Sequence, residues 1–217
     1  MRAYFLSLYS GNMRGRPPSI REEDILDAAR DIFRREGHAA TTAKIAKRAG
    51  VSEGLLFYRY NSKEALLAEV IHRETQPPES LRDIAQAAGQ RNVEENLLEI
   101  VETVLDVGFR AHPFLELAES SPASSEIRRI LFEKTRKPPP QVVVESIAKY
   151  FEAEMRLGRV RTFASLPVAR AIFGGCVDYV RSQRVAGKDG GRQVFVRGLV
   201  DVILHGSLKS GSPHRRR

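Results

Sequence analysis

The sequence predicts an all-α fold, with a small three-helix head followed by a larger helical body. Apolar residues recur three and four positions apart along most of the chain, which is the period of one helix face. Runs of strict polar–apolar alternation bounded by hairpin turns are absent. Helix-start and helix-stop residues punctuate the periodic segments.

The elements follow in order. Ser19 and Glu22 have capping-box spacing, and Ile25, Ala28, Ala29, Ile32 and Phe33 then form one apolar stripe, stopped at Gly37. A short second helix is predicted over 42–49, with Ile45, Ala46 and Ala49 on one face and Gly50 after it. Ser52 caps a third short helix through about Tyr58. Asn61 and Glu64 have capping-box spacing for a fourth, carrying Leu66, Leu67, Val70 and Ile71, and Gln76-Pro77-Pro78 breaks it. Longer segments are predicted over 93–111, ending at His112-Pro113, then over 114–121 and 124–134. Pro138, Pro139 and Pro140 precede a helix carrying Val144, Ile147, Ala148, Phe151 and Met155, which Gly158 ends. The last two helices are predicted over 166–185 and 192–208, with a glycine-rich turn over 187–191. This divides the chain into an arm (1–18), a head (19–61), a body (62–208) and a polar tail (209–217).

Composition narrows the function classes. The 217 residues are 42% hydrophobic, enough to bury a core, and carry net charge +8. Residues 1–73 hold 13 basic and 9 acidic side chains, 74–208 hold 18 of each, and 209–217 hold 4 basic and none acidic. A polyanionic partner is therefore expected at the head rather than the neutral body. The longest uncharged stretch, 3–13, is shorter than the ~20 residues a membrane span needs. Met1–Met13 reads as an extension without a clear cleavage site, with Met13 a second possible start. One cysteine, Cys176, excludes an internal disulfide framework and makes a reducing, cytoplasmic setting the expected one. No two of the five histidines stand four residues apart, and no metal site or cofactor is expected. Neither a Gly-x-Ser-x-Gly elbow nor a Gly-x-x-x-x-Gly-Lys-Ser/Thr loop occurs, so the chain does not read as an enzyme. The rival from that class is an all-α enzyme using Cys176 as nucleophile.

Residues 42–58 have helix-turn-helix spacing: Ala46 is small where two helices cross, and Gly50 suits the turn. The third helix then exposes Glu53, Leu55, Phe57 and Tyr58 toward a major groove. A helical hairpin with no DNA role has the same spacing. The wider stretch is more specific. Ile25-Leu26-Asp27-Ala28-Ala29, Ile32-Phe33, Gly37, Thr41-Thr42, Ile45-Ala46, Ala49-Gly50-Val51-Ser52, Gly54, Leu56 and Ser62-Lys63-Glu64 resemble the tetracycline-repressor-like (TetR) family of bacterial transcription regulators. The resemblance implies a homodimer on double-stranded operator DNA, with a body that dimerises through its last two helices. It also implies an unidentified small effector that releases the DNA.

The resemblance further implies that Thr41, Thr42 and Lys63 bind phosphate, with Ser52 and Gly54 in the recognition segment. The run Leu56-Phe57-Tyr58-Arg59-Tyr60 departs from the family's Leu-Tyr-x-Tyr/His-Phe, so Phe57 lacks the usual phosphate-binding hydroxyl. Tyr58 and Arg59 are the candidate replacements. Glu53 suits a cytosine amine and Leu55 a thymine methyl, although Glu53 is equally a first-turn acid. Lys44, Lys47 and Arg48 lie on the outer side of the second helix, toward phosphates or simply solvent. Arg14-Gly15-Arg16-Pro17 resembles an AT-hook, which places Arg14 and Arg16 in a minor groove. Candidate effector contacts are Phe109, His112, Phe114, Phe151, Phe173, Cys176 and Tyr179, although aromatics at helical spacing and a buried thiol are more often plain core. Phe195, Leu199, Val202 and Ile203 form the last helix's stripe, expected at a dimer interface. A nucleoid-type structural DNA binder without effector is the second alternative.

Overall fold

A computed structural model describes residues 21–134, 137–186 and 191–206. All regular structure among them is helical: α1 (Glu22–Glu36), α2 (Thr42–Ala49), α3 (Glu53–Tyr60), α4 (Lys63–Thr75), α5 (Glu79–Arg82), α6 (Val93–Glu119), α7 (Ser124–Lys134), α8 (Pro139–Arg156), α9 (Ser165–Ala186) and α10 (Arg192–His205). Single 3-10 turns follow α1 (Gly37–Ala39) and α5 (Ile84–Ala87).

Three expected boundaries are corrected. Helix α1 starts at Glu22, not after a Ser19–Glu22 box. The Asp24 carboxylate reaches back to accept the Arg21 N–H at 3.2 Å, and three first-turn acids favour the helix's positive end. Ser19 lies outside the described residues. The cap of α4 is Ser62, whose hydroxyl accepts from the Ala65 N–H at 3.0 Å. Asn61 instead takes the left-handed turn (φ 61°), a conformation asparagine tolerates better than most residues. Finally, α6 does not end at His112-Pro113. Pro113 removes one N–H and costs about 3 kcal/mol in an isolated helix. Beyond it, however, Phe114, Leu117 and Ala118 are all buried, and the packing they gain outweighs that loss.

Two apolar cores result. The head core joins α1 (Ile25, Ile32, Phe33), α2 (Ile45, Ala46), α3 (Leu56) and α4 (Leu66, Val70, Ile71). It also takes Phe114, Leu117 and Ala118 from α6 and Ile127 from α7. The body core joins α5, the first half of α6, α8, α9 and α10, through residues such as Leu97, Ile100, Ile147, Phe151, Ile172 and Val200. Helix α6 therefore runs from one core into the other. Helices α6 and α9 approach so closely that a Cβ on Gly108 would lie 2.9 Å from Val180. Among the described residues no helix is long and apolar enough to cross a membrane.

Candidate nucleic-acid interface

The helix-turn-helix is built from local rules. Thr41 caps α2, its hydroxyl oxygen accepting from the Lys44 N–H at 3.3 Å. Gly50 adopts φ 70°, which lets the Val51 N–H reach the Ala46 carbonyl at 3.0 Å and turn the chain sharply. Ser52 caps α3 by accepting from the Leu55 N–H at 3.1 Å. Leu56 and Tyr60 face the head core, which fixes the opposite face of α3 outward. That face presents Glu53, Gly54, Phe57 (44% exposed) and Tyr58 (84% exposed), with Leu55 half-buried at its edge. Phe57 and Tyr58 therefore stand free of the head core and are accessible on this face.

The structure separates the expected phosphate ligands. Lys63 Nζ donates to the carbonyls of His38 (3.0 Å) and Ala40 (2.9 Å), bracing the turn before α2. An ammonium has three donors, so one is left for phosphate. Lys44 is paired with Glu36 at 2.7 Å and Arg48 with Asp31 at 3.2 Å. Those partners lie on α1, so much of the second helix's positive charge is matched within the head. Lys44 is the chief cause of Glu36's carboxyl lying below its ordinary value. At Asp31, burial pushes upward, but Arg30 and Arg48 outweigh it and the net direction is down. Thr42 donates to the Glu53 carboxylate at 2.5 Å, a pairing that sequence spacing did not suggest. Arg59 lines a groove of about 330 Å³ between α4 and α7, beside Asn61 and Arg129. Arg14 and Arg16 lie outside the described residues.

The expected effector contacts do not form one site. Phe173 and Cys176 line a cavity of about 100 Å³ with Thr75, Leu81, Val104, Gly108, Pro139, Pro140 and Val143. Phe114 is buried in the head core instead. Phe151 packs edge-on to Phe163 (centroids 5.2 Å apart) inside the body. Phe109 and Tyr179 meet edge-on at 6.3 Å, and Tyr179 stacks on Phe195 at 4.4 Å. His112 is half-buried on α6, with its Nδ1 3.8 Å from the Glu116 carboxylate. The other wall residues were missed because they come from α4, α5, α6, α8 and α9. Gly108 inside a helical pattern and the proline triplet were the only local signals.

Burial pushes the Cys176 thiol up to about 12, so it stays protonated at neutral pH, which does not suit a nucleophile. We expect Cys176 in the native protein to resist a disulfide reagent at pH 8 and to react once the chain is unfolded in urea. Immediate stoichiometric labelling of the native protein would show an open cavity instead. On α10 the buried residues are Val196 and Val200. Phe195, Leu199 and Ile203 lean partly onto the body core, while Val202 (53% exposed) and Val194 (78% exposed) face outward. Among the described residues no group of three or more His, Cys, Asp or Glu is placed to hold a metal ion.

Comparison with known proteins bears on this interface directly. Residues 25–70, which span α1 to most of α4, match the family model of bacterial regulatory proteins of the tetR family. No curated protein matches the chain. Among solved structures, it is similar to the transcriptional regulator FadR from Bacillus subtilis in complex with stearoyl-CoA. That pair has 16% identity and TM-score 0.65, over 87% of this chain and 100% of that one. The fatty acid degradation regulator FadR from Bacillus halodurans is similar at 19% identity and TM-score 0.64, covering 89% and 98%. The TetR family transcriptional regulator PfmR from Thermus thermophilus gives 21%, 0.60, 85% and 99%. At these identities the structures share the fold.

Proposed function

On the footing that the chain belongs, through residues 25–70, to the TetR family of bacterial regulatory proteins, we propose that it is a ligand-responsive transcriptional repressor. It binds operator DNA as a homodimer and is released by an apolar small molecule. The observation that carries this is the course of α6, which lines the body cavity through Val104, Gly108 and Ala111 and fills the head core through Phe114. A ligand that displaces α6 in the body must disturb the head.

The cavity selects by chemistry. Its walls are apolar except for the Thr75 hydroxyl and the Cys176 thiol, and Thr75 already donates to the Ile71 carbonyl at 2.8 Å. Among the described residues no charged group lines it. At about 100 Å³ it is smaller than the ~150 Å³ that holds a benzene ring. A longer apolar chain enters only if α4, α6, α8 and α9 part. Such a ligand favours the parted state by its differential affinity, which is what release requires. Stearoyl-CoA in the Bacillus subtilis structure has an acyl chain of suitable apolarity.

On the DNA side, Tyr58, Phe57 and Leu55 supply groove contacts, and Thr41 and the third Lys63 donor supply phosphate contacts. The test is footprinting on the DNA upstream of the protein's own gene, with and without fatty acyl-CoA. A protected inverted repeat that acyl-CoA releases is expected. Equal affinity for any DNA would point to the nucleoid-type alternative, and operator binding that no apolar ligand relieves would remove the effector half of the reading.

The outward faces of α9 and α10 supply the dimer contact in this reading. A Val194→Asp/Val202→Asp variant should sediment as a monomer and lose about a hundredfold in operator affinity, because its two half-sites are no longer linked. A variant that remains dimeric would place the interface elsewhere.

A further inference from the structure

We propose that Thr42 is a positioning residue that holds Glu53 as the reader of a cytosine in the operator half-site. The inference rests on the regulator reading above. The two threonines at the start of α2 are not equivalent. Thr41 accepts from the Lys44 N–H and keeps its own hydrogen for a phosphate. Thr42 spends its hydrogen on Glu53 Oε1 at 2.5 Å. A hydroxyl has one hydrogen, so Thr42 cannot hold Glu53 and donate to phosphate together.

Glu53 is the first residue of α3, on its exposed face. It does not cap its own helix, since Ser52 takes that role. Among the described residues it forms no ion pair, and two of the three α2 cations, Lys44 and Arg48, are matched to Glu36 and Asp31 on α1. A carboxylate at the DNA-facing end of the head is repelled by phosphates unless it meets a donor. In the major groove the cytosine N4 amine is that donor, and Oε2 is left to accept from it. The bond to Thr42 ties the side chain's direction to α2 across 11 positions of sequence, which fixes where the reading oxygen stands.

The experiment is selection of binding sites from randomised duplex DNA with the full chain, followed by affinity measurement on single-position variants. The wild type should prefer cytosine at one half-site position by about tenfold. Glu53→Ala should abolish that preference and so identify the position. Thr42→Val keeps the β-branched shape but no hydroxyl; it should lose most of the preference there while affinity for non-specific DNA stays within about twofold. Thr42→Ser should retain the preference. Melting curves matching the wild type establish that each variant is folded. A Thr42→Val protein that binds all sequences equally less well, with its cytosine preference intact, would assign Thr42 to phosphate and overturn the inference. Wild-type protein that enriches no motif would strike down the regulator reading itself.

Discussion

Phe114→Ala should destabilise the protein by about 3–5 kcal/mol, the loss expected when a fully buried phenylalanine is truncated in a core that cannot close over the gap. Phe114 has no exposed surface and sits among the buried residues of α1 to α4, although it is carried by a body helix. The Arg34 guanidinium lies over its ring, 5.6 Å from the centroid. The same end of α6 is tied to the turn before α2, where Ser120 Oγ lies 3.0 Å from His38 Nε2. The variant should therefore loosen the head first, and operator affinity should fall together with the urea midpoint. Equilibrium unfolding at one fixed protein concentration measures the change, since the proposed dimer makes stability concentration-dependent. A loss under about 1 kcal/mol would mean that α6 merely rests against the head.

The head was legible because its rules are local. Thr41, Gly50 and Ser52 act within four residues of themselves, and the stripe from Ile25 to Phe33 faces one way. The resemblance then added an expectation that spacing alone does not contain. Continuity through Pro113 was not legible, because what holds α6 together there is the head core, some 40 to 90 residues earlier in the chain. The cavity was hidden for the same reason: Thr75, Gly108, Pro139 and Phe173 meet only after folding. Helix α10 shows a different limit. Phe195, Leu199, Val202 and Ile203 recur at helical spacing, but so do Val196 and Val200 one position round. A helix apolar on adjoining faces does not declare which one turns inward, and packing chose the valines. Likewise, no rule of spacing pairs Thr42 with Glu53, because that contact depends on how α2 and α3 cross.

Arg159→Leu should cost about as much as the Phe114 truncation, for an electrostatic reason. Glu154 on α8 has no exposed surface, yet carries a carboxylate. Arg159 Nε lies 3.3 Å from its Oε2, and the Gly89 N–H donates to its Oε1 at 3.4 Å. The arginine reaches it because Gly158 (φ 70°), two residues beyond the end of α8, folds the chain back so that the Arg159 N–H bonds the Glu154 carbonyl at 3.0 Å. Removing the arginine leaves a buried charge without its counter-ion, a loss of about 3–5 kcal/mol. Taking the charge away as well should restore much of the stability, because a neutral side chain of the same shape loses far less on burial. Arg159→Leu/Glu154→Gln is therefore expected to unfold at a higher urea midpoint than Arg159→Leu alone, despite carrying one more substitution. The coupling from the full double-mutant cycle measures how strongly the two groups depend on each other. Additive losses in that cycle would mean that Arg159 acts through its contacts elsewhere, such as its bond to the Arg91 carbonyl, and not through Glu154.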